Sequence, residues 1–362
     1  YRIITLRDSE NILLSTLKKV KELVLNGAVV LGDKPKDSPS LMDDTTDLEE
    51  LKSISNELWG NTKKGMKQVG KGKVYWGKTL DDVLKEEKIT KDVIVPENLN
   101  INWIHRETKD AHIYFVASKD DDPVDVALSF RIENASPQIW DAFTGNQQEA
   151  KIWKYENKRT NVAISLPKNG SKIIVFSKSD AKPFAEKVTL NDTTILDTKT
   201  GWYQIHKTNS YPALSWNNDE FTASTSGDYI FHQNGKKIKK TVLLKELSLQ
   251  NDWKLAFEKG WDTPETIEID ELKSLTELEN NAVKHYSGTT RYTKTFDVKE
   301  TGKSTIINLG EVANIAELWC NGKKVGTKWA PPFQFDITKE IQLGKNELEV
   351  KITNTWRNQL IF

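Results

Sequence analysis

Five histidines, one cysteine and 52 acidic side chains are the groups from which this 362-residue chain would have to build acid–base, nucleophilic or metal chemistry. The histidines stand at positions 105, 112, 206, 232 and 285. No two have the i,i+4 spacing that sets both imidazoles on one helix face, and no pair has the nearby carboxylate a zinc protease needs. The single cysteine, Cys320, excludes an intramolecular disulfide and a thiolate zinc site. It lies in Ala316-Glu317-Leu318-Trp319-Cys320-Asn321-Gly322, which alternates like a strand entering a turn, so it reads as a buried, inert thiol. No G-x-S-x-G elbow offers a serine nucleophile. Gly65, Gly70 and Gly72 read as a basic loop ahead of a strand, where phosphates would meet no helix N-terminus. Glycosidic cleavage needs two carboxylates on a rigid frame, and none of the 52 sits at the end of a recognisable barrel strand. No catalytic constellation emerges.

Twelve tryptophans are the strongest compositional signal. Indole faces stack on the apolar faces of sugar rings, although core packing is the default for a tryptophan. Two stand apart. Trp329 precedes Ala330-Pro331-Pro332, which holds it in an extended loop. Trp103 lies in the polar stretch Asn102-Trp103-Ile104-His105-Arg106, with His105 and Arg106 at a strand start.

The elements that must position these residues change character along the chain. The length suits two to four domains. Lys+Arg and Asp+Glu both count 52, so no net field draws the chain to nucleic acid or an anionic membrane. The run Lys236-Lys237-Ile238-Lys239-Lys240 reads as a solvated strand end. No apolar run approaches the roughly 18 residues that span a bilayer. Residues 1–6 read as a buried strand with no initiator Met or signal peptide ahead, so the chain is expected to be a fragment of a longer one. A helix with Ile12, Leu13, Leu17, Val20, Leu23 and Val24 on one face follows, capped at Asp8 or Ser9 and closed by Gly27. Residues 28–32 form a second strand. A helix near 46–58, capped by Thr45 or Thr46, a strand at 73–77 and a short helix starting at Thr79 complete an α/β pattern, which implies a parallel sheet.

After Pro96 the apolar period becomes two. Strands are expected at 113–117, 124–132, 139–141, 162–166 and 172–176, with hairpin-type turns at Thr144-Gly145-Asn146 and Lys168-Asn169-Gly170. This spacing indicates a sandwich. Residues 178–183 read as a polar linker. Residues 184–245 hold short strands around an Asn234-Gly235 turn, forming either a small domain or strands shared with their neighbours. From Asn251 a further sandwich is expected, with strands at 253–257, 289–296, 304–309, 317–320, 333–337 and 347–353.

Three segments resemble one family. The first runs from Leu309-Gly310-Glu311-Val312-Ala313-Asn314 through Asn321-Gly322-Lys323-Lys324-Val325-Gly326-Thr327-Lys328-Trp329-Ala330-Pro331-Pro332-Phe333 to Thr353-Asn354-Thr355-Trp356-Arg357-Asn358-Gln359-Leu360-Ile361, preceded by Tyr286-Ser287-Gly288-Thr289. It resembles the galactose-binding-like jelly roll that closes glycoside hydrolase family 106, the α-L-rhamnosidase-like enzymes. The Asn-Gly turn also occurs in sugar-binding domains of family 2 β-galactosidase-like enzymes. Ile104-His105-Arg106 through Val116, joined to Ile139-Trp140-Asp141-Ala142-Phe143-Thr144-Gly145, is similar to the family's middle sandwich. Residues 28–41 with Gly72-Lys73-Val74-Tyr75-Trp76-Gly77 are similar to its amidotransferase-like domain without the nucleophile.

The resemblance implies a multidomain α/β plus mostly β fold class. A truncated amidotransferase-like parallel α/β domain at 1–92 would precede a β-sandwich at 93–180, a small β region at 181–245 and a galactose-binding-like jelly roll at 246–362. It implies an accessory portion of a glycoside hydrolase, partnered by an upstream catalytic barrel of the same protein and by an oligosaccharide or polysaccharide. No catalytic residue carries over. The candidate substrate contacts are Trp103, His105, Arg106, Arg291, Asn321 and Trp329. Family members also suggest a structural calcium, without identifiable ligands here, and a secreted or periplasmic bacterial setting. The rival expectation is a stand-alone, non-catalytic carbohydrate-binding protein.

Overall fold

The computed structural model describes residues 3–6, 10–178, 182–206, 214–217, 220–302 and 304–360. Two compact units divide the chain, one ending at Asp92 and one beginning at Val93.

The first unit comprises β1 (Ile3–Thr5), α1 (Leu14–Leu25), β2 (Val29–Leu31), α2 (Thr45–Leu58), β3 (Gly65–Val69), β4 (Gly72–Trp76) and α3 (Leu80–Glu86). β1, β2 and β4 are parallel neighbours in that order, and β3 adds to β4 antiparallel. The α/β reading therefore holds for three strands. The glycine-bearing stretch read as a loop is instead a hairpin strand, because residues 65–69 pair with Trp76 through Gly72 across a tight turn at Gly70.

α1 buries Leu14, Leu17, Val20 and Val24. Ile12 and Leu13 lie in its approach: the helix starts at Leu14 with Leu13 in the N-cap position and no side-chain cap, so Asp8 and Ser9, which fall outside the described residues, do not cap it. Gly27 ends the helix at φ +115°, with Gly27 N–H donating to Val24 O at 3.0 Å and Ala28 N–H to Leu23 O at 2.9 Å. α2 is capped by Asp44 rather than Thr45 or Thr46. Its carboxylate accepts from Thr46 N (2.8 Å) and Asp47 N (3.0 Å), and Asp47 returns a bond to Asp44 N. An anion there satisfies two orphan amides and also meets the helix dipole, which a hydroxyl cannot do. α3 is capped by Thr79, with Asp82 closing the reciprocal bond.

The second unit opens with β5 (Val93–Ile94), β6 (Ile101–Glu107), β7 (Ala111–Ser118), β8 (Val124–Phe130), β9 (Ser136–Trp140), β10 (Gln147–Glu149), β11 (Trp153–Glu156), β12 (Arg159–Leu166) and β13 (Ser171–Ser177). One sheet runs β10-β9-β13-β7-β6. A second holds β11, β12 and β8, with β5 also on β8. Tyr114, Val116, Ile174 and Phe176 from the first sheet meet Val126, Leu128, Phe130 and Val162 from the second in one core. β12 and β13 belong to different sheets, so Lys168-Asn169-Gly170 crosses the sandwich instead of closing a hairpin.

The next stretch supplies β14 (Lys187–Leu190), β15 (Thr193–Asp197), β16 (Tyr203–Ile205), β17 (Leu214–Asn217), β18 (Glu220–Ala223), β19 (Gly227–Gln233) and β20 (Lys236–Val242). A four-stranded sheet β15-β14-β19-β20 shares a core with Ile152 and Ala163 of the preceding sandwich, and β16 pairs with β8 of that sandwich. The lysine run, read as a strand end, is the body of edge strand β20, where charge discourages further pairing. Part of the polar linker, residues 179–181, lies outside the described residues.

The last stretch holds β21 (Asn251–Ala256), β22 (Thr266–Glu271), α4 (Asn281–Lys284), β23 (Thr289–Val298), β24 (Ile306–Asn308), β25 (Ile315–Cys320), β26 (Lys323–Lys328), β27 (Gln334–Asp336), β28 (Gly344–Thr353) and α5 (Arg357–Leu360). A six-stranded sheet β22-β21-β23-β28-β25-β26 packs with the β24-β27 pair around Leu255, Leu318, Cys320, Phe335 and Leu348. Cys320 is buried, and burial holds its thiol pKa above the ordinary value. The chain is mostly β. Among the described residues, no helix is long and apolar enough to cross a membrane.

Candidate functional site

Of the twelve tryptophans, only Trp329 and Trp356 leave more than half their surface exposed. Trp329 follows β26 and is 65% exposed. Its ring lies 4.9 Å from that of Phe143, which is 52% exposed at the turn between β9 and β10. Two segments far apart in sequence thus set two aromatic faces side by side in water.

The Phe143 turn is held by Asp141. Its Oδ1 accepts from Phe143 N at 2.9 Å and Thr144 N at 3.0 Å, and Gly145 completes the turn at φ +73°. Its Oδ2 pairs with the ammonium of Lys172 on β13. Burial alone would raise the Asp141 pKa, but the Lys172 ammonium and the two turn amides outweigh it and hold the carboxyl below its ordinary range. Lys328, next to Trp329, donates to Pro332 O at 3.1 Å. Burial lowers its pKa; Asp141 works against that shift and Lys172 adds to it. Two aromatic rings, a carboxylate and two ammonium groups therefore share one surface.

Such a shelf suits a polyol ring. The aromatic faces remove apolar C–H surface from water, while charged groups at the border exchange hydrogen bonds with hydroxyls. It is open, unlike a buried cleft. Two depressions lie elsewhere, about 800 Å³ beside β1 and β2 and about 400 Å³ across β21 and β22, and neither includes Phe143 or Trp329.

The structure separates the other expected contacts. Trp103 and His105 lie on β6, a full strand where the sequence read only a strand start, at the opposite edge of its sheet from the Phe143 turn. Trp103 is half-buried against the sandwich core, so it is not an exposed platform. His105 stacks on Tyr114 at 4.1 Å and 14°, and its Nε2 lies 3.2 Å from His112 Nδ1. The β6–β7 hairpin creates that pair, which no helical spacing anticipates. Arg106 is exposed on the other face of the strand. Arg291 lies exposed on β23, opposite Lys351.

Asn321 sits at the far end of β26 from Trp329, roughly 20 Å away at about 3.3 Å per residue. Its amide is committed to the hairpin. Nδ2 donates to Glu340 O and Asn346 Oδ1, each at 2.8 Å, and Oδ1 accepts from Glu347 N at 2.9 Å. Trp329, Arg291 and Asn321 do not converge.

Sequence reasoning also missed a buried polar cluster. Asp125 on β8 accepts from His206 Nε2 at 2.7 Å and from Ser165 Oγ. The carboxylate stands between the other two groups, whereas a serine-hydrolase relay needs the imidazole in the middle. The cluster therefore joins β8, β12 and the end of β16. Among the described residues, no group of three or more His, Cys, Asp or Glu side chains could hold a metal ion, so the calcium expectation gains no ligand set.

Two family models match parts of the chain. Residues 1–156 match the family model for α-L-rhamnosidases of glycoside hydrolase family 106. Residues 246–361 match the sugar binding domain of glycosyl hydrolases family 2. A Formosa agariphila protein provisionally named a beta-glucuronidase is 24% identical, the match covering 100% of this chain and 45% of that protein. A rhamnosidase from Novosphingobium sp. PP1Y shares the fold with a TM-score of 0.66 at 24% identity, covering 100% of this chain and 30% of that one. The chain thus spans less than half the length of either. It is glycoside-hydrolase-like, with a sugar-binding domain in its last third. More particularly, it is similar to the α-L-rhamnosidases of family 106, as its motifs imply.

Proposed function

We propose that this chain is the accessory, carbohydrate-facing portion of a glycoside hydrolase resembling α-L-rhamnosidases, supporting a catalytic barrel elsewhere in the same protein. The observation that carries this reading is the exposed Phe143–Trp329 shelf, bordered by Asp141, Lys172 and Lys328, where the sandwich meets the sugar-binding domain. In finer detail, the unit before Val93 is an amidotransferase-like domain without a nucleophile, 93–180 is a sandwich, 181–245 a small β region, and 246–362 a galactose-binding-like jelly roll. Parallel strands β1, β2 and β4 and the two-sheet packing support those assignments.

The protein works on plant or microbial polysaccharide in a secreted or periplasmic bacterial setting, a reading that rests on the family resemblance alone. Trp329 is the principal glycan contact. His105 and Arg106, on opposite faces of β6, border the active site of the intact enzyme. The purified chain is expected to bind α-L-rhamnosyl oligosaccharides and to leave aryl α-L-rhamnoside and aryl β-galactoside uncleaved. Turnover that survives repurification would contradict the accessory role. In full-length enzyme, His105→Ala with Arg106→Ala should raise KM for an aryl α-L-rhamnoside, and an unchanged KM would remove those two residues from the active-site border.

A further inference from the structure

The second exposed tryptophan, Trp356, stands in a defined relation to the first. β21 ends at Ala256, which pairs with Arg291 near the start of β23. β23 begins at Thr289, which pairs with Thr353 at the end of β28. Thr353 also pairs with Ile315 at the start of β25, and Ala316 pairs with Lys328 at the end of β26. The segments that follow β21, β28 and β26 therefore leave the six-stranded sheet at the same end, and each brings a tryptophan: Trp261, Trp356 and Trp329. The strand ends from which neighbouring segments leave are two strands apart, about 10 Å at 4.7–4.9 Å per strand.

Trp356 is 66% exposed, and its ring centroid lies 6.0 Å from that of Trp261 at 57°. Trp261 packs edge-on against buried Tyr286 at 5.5 Å, so it is fixed to the core. Tyr286 also links Trp261 to the exposed Glu258, whose carboxylate accepts from Tyr286 Oη (3.5 Å) and Thr289 N (3.4 Å). The pair echoes the Phe143–Trp329 shelf: one exposed indole, Trp356, angled against a partly buried one, Trp261, with a carboxylate in the same segment. Exposed aromatic surface of this kind marks an interaction site.

We propose that Trp261 and Trp356, with Glu258, form a second sugar subsite, so that this end of the sheet binds an oligosaccharide rather than a single sugar. This rests on the reading of Phe143 and Trp329 as a glycan shelf. Linking two subsites through one ligand makes the second contact intramolecular, so affinity should rise steeply with ligand length once both are reached.

The test is calorimetric titration of the whole chain with α-L-rhamnosyl-terminated oligosaccharides from disaccharide to octasaccharide. Trp356→Ala should weaken octasaccharide binding about tenfold and leave disaccharide binding unchanged. Trp356→Phe keeps an aromatic face and should retain most of the affinity; it also guards against a folding defect, which a thermal melt of both variants would register. Octasaccharide affinity unaffected by Trp356→Ala, with disaccharide binding intact, would overturn the second subsite and leave the first standing. Absence of binding by the unsubstituted chain to any member of the series would overturn both.

Discussion

Asp141 shows how one side chain can serve structure and site together. One carboxylate oxygen fixes the turn that presents Phe143, and the other holds Lys172 close to Lys328. Asp141→Asn keeps the turn acceptor but loses the ion pair. The loss is expected to cost about 1 kcal/mol at neutral pH, since both partners are largely shielded from water. The sign of the pH effect follows from the lowered pKa. The contribution is present above the ordinary value of 3.8 and is lost as pH falls through the lower folded value. Thermal melts of wild type and variant should therefore differ at pH 7 and converge on acidification below 3.8. A gap that stays constant down to pH 2 would show that the ion pair contributes nothing.

Among the elements, close approach and hydrogen-bond saturation decide the outcome of substitution. A Cβ at Gly72 would lie 2.3 Å from both Val24 O and Ala28 O, which are backbone atoms at the end of α1 and in the link to β2. Gly72→Ala is expected to destabilise the first unit by more than about 2 kcal/mol, measured by denaturant unfolding. Asn321→Ala removes three hydrogen bonds around the β25–β26 hairpin and should cost about 1–3 kcal/mol while glycan affinity stays unchanged. A fall in affinity without loss of stability would return Asn321 to the binding residues. Elements with a regular apolar period were legible in the sequence: α1 from its three-and-four spacing, β7, β8, β12 and β13 from alternation. β6 was hidden because an edge strand sends Asn102, Ile104 and Arg106 to solvent, which reads as a polar stretch. The α2 cap was misplaced by one residue because Asp44, Thr45 and Thr46 are all competent caps, and only geometry selects the carboxylate.

For the whole molecule, what escapes the sequence is convergence. Trp329 was legible as an exposed aromatic from the prolines after it, but Phe143 carries no local sign that it would meet Trp329. Trp356, in Asn354-Thr355-Trp356-Arg357, reaches the same end of the sheet as Trp329 only through the strand order that aligns the ends of β26 and β28. Asp125 and His206 likewise meet only through the pairing of β16 with β8. An unchanged melting temperature under EDTA would count against the structural calcium that the family resemblance implies. A drop of several degrees would reveal a calcium site built from backbone carbonyls. The central claim is glycan recognition at the Phe143–Trp329 shelf, and the most direct measurement is calorimetric titration of wild type and Trp329→Ala with one α-L-rhamnosyl oligosaccharide. Saturable binding that weakens about tenfold in the variant, at an unchanged melting temperature, is the predicted result. Equal affinity for both proteins, or no binding by the wild type, would contradict it.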